Sequence, residues 1–314
     1  MPQPAPLDIS ENQFYGIESV EVYRAVINDR EIFELLADIV QLTYETFLGK
    51  EGKQFVIGYL RDIEDLGCDC TTDEIKEVVG NARETFQSSC LNSYYHQVFR
   101  KNNLLTSVNC VEASWFEGTV VDIGAHDNVL GQVLLGQNIH VSHVIGVDIT
   151  PANDVTFGER LEFRIQEDSG QVPVCDASAD TVVLRYVLHH APFDEQLKLL
   201  GEAKRILKSD GTVVVFENTY SFIQPPLEDR YSIHQRIIKL GSRERIQLLL
   251  AVLDTFSQGI KEKYGPFPFT YRSIEEWLEI FPQIGLDTSI LLYYGMPLFD
   301  LHQAPLGVFI LRHS

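Results

Sequence analysis

A chain of 314 residues with 45% hydrophobic content suits one large or two modest domains with a sizeable buried core, which excludes a disordered polymer. Its 45 acidic residues against 25 basic ones give a formal charge of −20. No basic stripe is left to track a phosphate backbone, so nucleic acid is excluded as an expected partner. No apolar run reaches the ~18 residues of a membrane span, and the opening MPQPAPLDIS has no basic stretch followed by an apolar one; no membrane association and a cytoplasmic, unexported chain are expected. Cysteines at 68, 70, 90, 110 and 175 are odd in number and irregular in spacing, unlike a disulfide framework. Cys68-Asp69-Cys70 lacks a second Cys pair and a nearby His, so no metal site is expected.

The first dozen residues hold three prolines and read as a loose leader. From Asp29, the residues Ile32, Leu35, Leu36, Ile39, Leu42 and Phe47 recur at helical spacing, and Gly49 stands where a left-handed cap would end the element. A second helix is expected from Lys53 to Leu66, a third behind the capping box Thr71-x-x-Glu74, and a fourth over Cys90 to Phe99. Residues 1–112 thus read as an N-terminal helical region. Two roles are open to it: a packing layer that makes a homodimer, or half of a substrate pocket.

From Trp115 strands and helices alternate. TVVDIGA (119–125) reads as a buried strand running into a tight turn, and Val129 to Leu135 as the helix that follows. Further strands are expected at His143 to Ile149, Leu161 to Ile165, Thr181 to Leu188 and Thr212 to Glu217. A helix over Phe193 to Leu207 leaves through Ser209-Asp210-Gly211 as an exit turn. This rhythm demands a parallel sheet with right-handed crossovers. Pro225-Pro226 then breaks the pattern. Helices near Asp229 to Leu240 and from Arg243 to Phe256 form an insertion, residues 221–272, before a capped helix at Ser273-x-x-Glu276 and strands at Ser289 to Tyr294 and Gly307 to Arg312.

The succession VVDIGAHDN, GVDIT, VPVCDASADTVV, LRYVLHHAP and LGEAKRILKSDGTVVVFE resembles the class I S-adenosylmethionine-dependent methyltransferases, in particular the small-molecule branch with an LHH signature. The resemblance covers about residues 115–220 and more loosely 270–314. It implies an α/β fold, a doubly wound, seven-stranded, mostly parallel sheet (Rossmann-like), over residues 113–314, with 221–272 as a helical lid over the acceptor. It also implies S-adenosyl-L-methionine as cofactor.

In that family a glycine-rich loop passes the methionine half of the cofactor, and Gly124 matches its first glycine. The acid ending the second strand takes both ribose hydroxyls; Asp148 matches, with Ile149 beside it, and a carboxylate suits such a pair of donors. Counting back from Val172-Pro173 places Asp168, with Ser169, at the adenine. The family's DxGxGxG reads here as Asp122, Gly124, His126, Asn128, so two glycines are replaced. Asn tolerates a left-handed backbone. His126 is the larger change: it narrows the pocket, binds the cofactor carboxylate, or marks lost binding. A dinucleotide site would need GxGxxG after the first strand, which is missing.

Arg185 sits in an otherwise apolar strand and needs a partner: the cofactor carboxylate, an acidic substrate or a nearby Asp. His189-His190 either close the fourth strand or present a base; His190, with His234 in the insertion, is the candidate. Tyr231, Tyr264, Phe267, Phe269 and Tyr271 either grip an acceptor or fill core. The expected function is methyl transfer to a small-molecule acceptor. The alternatives are non-methylating chemistry on the same fold, such as cyclisation or isomerisation, and a pseudoenzyme that acts as a binding partner.

Overall fold

The computed structural model describes residues 20–95, 100–109, 111–149, 155–167, 170–221, 231–261, 270–295 and 304–314. The leader, Asp168, Ser169, Pro225-Pro226, Tyr264, Gly265, Pro266, Phe267 and Phe269 lie outside them. The chain divides into two compact units, one drawn from Met1–Arg100, Phe222–Tyr271 and Gly295–Pro305, the other from Lys101–Ser221, Arg272–Tyr294 and Leu306–Ser314.

The second unit is built on seven strands: β1 (Gly118–Ile123), β2 (Val141–Asp148), β3 (Leu161–Ile165), β4 (Ala179–Arg185), β5 (Leu207–Asn218), β6 (Leu286–Gly295) and β7 (Leu306–His313). They form one sheet in the order β3-β2-β1-β4-β5-β7-β6. Pairings among the first five are parallel, and β7 runs antiparallel to β5. The doubly wound, mostly parallel, seven-stranded sheet expected from the sequence is therefore present. Val121, Ile123, Val147, Val182, Leu184, Val213 and Val215 point to one face, where they share a core with Leu200, Ala203 and Ile206 of a helix at Phe193–Ile206 and with Trp277 and Phe281 of a helix at Ile274–Ile284. Alternation puts Val120, Asp122, Val144, Gly146, Val183 and Arg185 on the other face. No helix among the described residues is long and apolar enough to cross a membrane.

Two expectations in this unit are corrected. Ser209-Asp210-Gly211 is no exit turn: the helix passes straight into β5, and these residues lie within the strand. The pairing steps from Ala179↔Leu207 to Thr181↔Thr212, so the surplus residues form a bulge, and the turn-forming side chains serve there instead. The fourth strand also stops at Arg185, short of Leu188. Tyr186 adopts φ +54°, which no strand continues through, and Leu188–His190 form a single 3-10 turn.

The first unit is helical. In chain order, its described helices are α1 (Val20–Asn28), α2 (Arg30–Leu66), α3 (Thr72–Ser88) and α4 (Cys90–Tyr94); α5 (Arg100–Asn109), α6 (Val129–Gln137) and α7 (Phe193–Ile206) belong with the sheet, α8 (Tyr231–Lys239) and α9 (Arg243–Lys261) with the first unit, and α10 (Ile274–Ile284) with the sheet. The two α-helices of the insertion thus pack on the amino-terminal helices. Tyr59 of α2 lies against Phe256 of α9, ring centroids 4.4 Å apart. Arg83 Nε donates to the Gly259 carbonyl at 2.9 Å. Arg245 donates to both oxygens of Asp29, each at 2.8 Å, and to Glu31. Asp29 in turn caps α2 by accepting from the Ile32 N–H; burial raises its pKa, but the Arg245 hydrogen bonds outweigh this and leave it lowered.

The capping box at Thr71 and Glu74 forms as expected. The two helices expected either side of Gly49 are the arms of one kinked element, and Gly49 itself takes φ +69°, ψ −161°, a region open only to glycine. A Cβ there meets no atom within 4 Å, so strain alone opposes a side chain. Gly49→Ala is expected to lower unfolding free energy by about 1–3 kcal/mol, measured by urea denaturation; an unchanged midpoint would mean that the kink is not held in this conformation.

Candidate functional site

The site begins where β1 meets α6. Asp122 and Ile123 end the strand, and the chain turns through five residues of which three, Gly124, His126 and Asn128, have φ of +81°, +50° and +63°. The Gly124 and Ala125 N–H groups both donate to the Val147 carbonyl at the end of β2, at 2.8 and 3.1 Å. At Gly124 a side chain is excluded twice over, by φ and by Val187, whose Cγ2 would lie 2.6 Å from a Cβ. His126 and Asn128 are non-glycine residues held in the left-handed backbone region. What sustains them is local bonding. The His126 N–H donates to Asp148 Oδ2 at 2.7 Å. Asn128 is fully buried, and its Nδ2 donates to the carbonyls of Thr156 and Glu162 at 3.0 and 2.9 Å. Asp127 Oδ1 accepts from the Val129 N–H in the first turn of α6.

Asp148, at the carboxyl end of β2, is therefore tied to the loop, and Ile149 beside it is 52% exposed, which leaves an apolar surface next to the acid. Asp122 is 2% exposed. Burial pushes its carboxyl up to about 7; Arg185 pulls the other way, and Asp148 and Asp127 add to the rise. Arg185 ends β4 on the same face as Asp122. Its Nη2 donates to Asn103 Oδ1 and Ser107 Oγ of α5, at 2.9 and 3.2 Å, and the guanidinium carbon lies 4.5 Å from the Tyr186 ring centroid. The structure thus gathers Asp122, Gly124, His126, Asp148, Ile149 and Arg185 at the carboxyl edge of β1, β2 and β4. Asp168 and Ser169 lie outside the described residues.

The two candidate bases lie apart in the chain's organisation. His190 is half-buried in the turn after β4, its ring 4.2 Å from that of His189. His234 belongs to the helical unit, buried on α8, where desolvation lowers its pKa and so favours the neutral imidazole. Sequence reasoning missed Glu217. Fully buried at the end of β5, it accepts from the Leu188 and Asn218 N–H groups, both at 3.0 Å, and is hydrogen-bonded to His189 Nδ1. Its signal was there: an acid closing the apolar run TVVVFE needs donors. Asn103 and Ser107 gave none, since their partner is 82 and 78 residues away.

Two variants test the loop. His126→Gly removes a left-handed non-glycine residue and is expected to raise stability by up to about 1 kcal/mol, whereas Asn128→Ala keeps the strain, loses two buried hydrogen bonds, and is expected to cost about 2 kcal/mol or more. Opposite signs in thermal melts would bear this out; equal losses would show that the His126 side chain carries the loop. Asp122 supplies a pH test. With a folded pKa near 7 against an ordinary 3.8, the folded state holds a proton that the unfolded chain has shed, so stability contributed here falls as pH rises from about 4 to 7. Three units correspond to roughly 4 kcal/mol. Asp122→Asn is expected to gain on the wild type by a difference of that order between pH 4 and pH 8, read from urea titrations of both proteins; a pH-independent difference would mean that Asp122 stays ionised.

Residues 121–215 match a family model described as a methyltransferase domain. No curated protein matches the chain in sequence. Among solved structures, the pyocyanin biosynthetic protein PhzM superposes with a TM-score of 0.50 at 15% identity, over 77% of this chain and 64% of that one. The mitomycin 7-O-methyltransferase MmcR gives 0.49 at 15%, over 85% and 72%. The 1,6-didemethyltoxoflavin-N1-methyltransferase of Burkholderia thailandensis, solved with S-adenosylhomocysteine, gives 0.45 at 15%, over 76% and 89%. At such identities the likeness speaks for the fold alone, and of these three only PhzM is similar enough to count for that. The matched segment supports a methyltransferase domain, and the shared sheet supports its fold.

Proposed function

We propose that the protein transfers a methyl group from S-adenosyl-L-methionine to a small organic acceptor, within the small-molecule branch whose fourth strand leads into LHH. The observation that carries the reading is the turn after β1. Its three alternate left-handed residues keep the backbone that a DxGxGxG loop has, in spite of His126 and Asn128, and Asp148 closes it. The donor set also fits the group chemically. Asp127 and Asp148 concentrate negative charge beside the buried Asp122, where a sulfonium and an ammonium would need it, and exposed Ile149 offers an apolar surface to an adenine ring. Asp148 is assigned to the ribose, Gly124 and His126 to the methionine half, and Asp168 with Ser169 to the adenine.

When bound, the cofactor supplies a methyl group made electrophilic by positive sulfur. The protein's task is then to hold an oxygen, nitrogen or carbon nucleophile in line and to keep water out. No dedicated base is required; His190 and His234 are proposed as acceptors of the proton that an O–H or N–H nucleophile releases, and the lowered pKa of His234 favours the form that accepts one. The lid role of 221–272, a homodimer through the amino-terminal helices, a cytoplasmic location and the absence of a nucleic-acid partner complete the proposal.

Calorimetry tests the assignment. S-adenosylhomocysteine is expected to bind and NAD not to. Asp148→Ala loses two hydrogen bonds to a charged acceptor, on the order of 1.5–3 kcal/mol each, so affinity is expected to fall by about two orders of magnitude or more, and Asp168→Ala, with one such bond, by less. NAD binding in place of the adenosyl compound, or wild-type affinity in Asp148→Ala, would overturn the site. Transfer of labelled methyl into a small acceptor separates methylation from cyclisation, isomerisation and a pseudoenzyme.

A further inference from the structure

Asp122 is a buried carboxyl group to which the protein offers no donor. It is 2% exposed, and no hydrogen bond among the described residues reaches it, so burial and the charges around it alone set its pKa. Glu217, of like burial, shows what such an acid ordinarily receives: two backbone N–H groups and the His189 ring. What faces Asp122 instead is charge. The register places Asp122 beside Gly146 of β2 and Val183 of β4. Asp148 and Arg185, each one strand over and two residues along, therefore stand on the same face, about 8 Å away from Cα to Cα. His126 and Asp127 belong to the turn that follows β1, and α6, VLGQVLLGQ, adds no charge. Arg185 is held by neutral Asn103 and Ser107 of α5 and lies against the Tyr186 ring. Its pull is outweighed: burial, then Asp148 and Asp127, raise the Asp122 carboxyl to about 7. At neutral pH the group stands near the midpoint of its titration, and a unit charge brought close decides which form it takes. A desolvated carboxyl feels such a charge without touching it, because a low dielectric screens little.

We propose that Asp122 is a specificity-determining residue that separates S-adenosyl-L-methionine from its demethylated product by charge. The two ligands differ by one methyl group and one positive charge at sulfur, and a methyl group alone separates ligands only weakly. Facing the cation, Asp122 is ionised; facing the neutral thioether, it keeps its proton. Binding of the charged cofactor is thereby coupled to release of a proton to solvent, and binding of the product is not. A ligand that favours the ionised form binds better as pH rises through neutrality, by roughly tenfold for each unit by which it lowers the pKa of the carboxyl group. S-adenosylhomocysteine, which leaves that pKa raised, gains nothing over the same range. The inference rests on the methyl-transfer reading and deepens it, since it names how the site senses whether its cofactor still carries the methyl group.

The experiment is calorimetry on the full chain without acceptor. S-adenosyl-L-methionine and S-adenosylhomocysteine are titrated between about pH 6 and about pH 8 in buffers of different ionisation enthalpy, which yields both the affinity and the protons exchanged. Wild type, Asp122→Asn and His126→Gly are compared, and subtracting Asp122→Asn cancels the ionisation of the ligands themselves. In wild type the preference for cofactor over product is expected to rise about tenfold or more across this range, with release of roughly half a proton near pH 7 on binding the cofactor. Asp122→Asn is expected to lose both effects. His126→Gly, whatever it does to affinity itself, is expected to keep them, which sets Asp122 apart from the nearby imidazole. A preference that does not change with pH in wild type, or a pH dependence that persists in Asp122→Asn, overturns the proposal, and so does its disappearance in His126→Gly. Should Asp122→Asn not fold, Arg185→Gln replaces it. Loss of the facing cation raises the Asp122 pKa, so the pH at which the preference appears is expected to move up by about one unit, and an unmoved midpoint overturns the proposal equally. Binding of neither ligand removes the methyl-transfer reading and this inference with it, whereas binding of both in a pH-independent ratio removes only the inference.

Discussion

The hydrogen bond from the His126 N–H to the Asp148 carboxylate, 2.7 Å long, ties the turn after β1 to the end of β2. It closes a turn whose alternate residues are all left-handed, which a chain of L-residues adopts only under constraint. Once that turn is closed, its consequences run into the sheet. Asn128 is forced inward, and its Oδ1 comes to rest over β2, where a Cβ on Gly146 would stand 2.4 Å away. A side chain at position 146 would therefore collide with the Asn128 amide. The same asparagine holds the carbonyls of Thr156 and Glu162, so one buried amide joins the turn, the start of α6 and the approach to β3.

Electrostatics decide what such a turn can hold. Three carboxyl groups crowd the carboxyl edge of β1 and β2, and burial, with repulsion from Asp148 and Asp127 added, raises one of them, Asp122, to about 7. A cationic ligand relieves both penalties at once. Glu217 illustrates the opposite solution, an acid of equal burial made comfortable by two backbone N–H groups and the His189 ring. The contrast separates function from architecture. Glu217 is satisfied within the protein and ties the turn after β4 to β5, whereas Asp122 is raised by its burial and Arg185 Nε is buried without a hydrogen-bond partner.

Local rules were legible in the sequence wherever structure is local. Both capping boxes, at Thr71 and at Ser273, formed as their spacing demands, and Gly49 marked the kink in α2. The strands of the sheet followed from apolar runs, and the acid at the end of β2 from the position of Asp148. What failed did so because tertiary pairing overrode a local signal. Ser209-Asp210-Gly211 has turn chemistry, but β4 alongside it draws the segment into β5 as a bulge, with Lys208 and Asp180 paired at 2.6 Å. Tyr186 has strand chemistry, yet it sits at φ +54° because the chain must turn off the sheet there. The partners of Arg185 and His189 are brought by topology, and no spacing within one element encodes them.

The insertion shows how the fold admits a long excursion without loosening its sheet. The chain leaves the sheet unit at Ser221 and re-enters at Arg272, and these two points are fastened together. Thr219 bridges to Arg272 in the backbone. Ser221 Oγ accepts from the Ile274 N–H at 2.8 Å and donates to Glu275 at 3.1 Å, while its carbonyl accepts from Tyr293 Oη at 2.7 Å. Tyr220 donates to Glu276, the residue whose side chain also completes the cap of α10. The first turn of α10 therefore serves as both helix start and clasp. Closing a loop costs entropy that grows only with the logarithm of its length, so an excursion of some 50 residues costs little more than a short one once its ends are pinned. Whatever the helices between them do, the sheet that carries Asp122, Asp148 and Arg185 is held by contacts of its own.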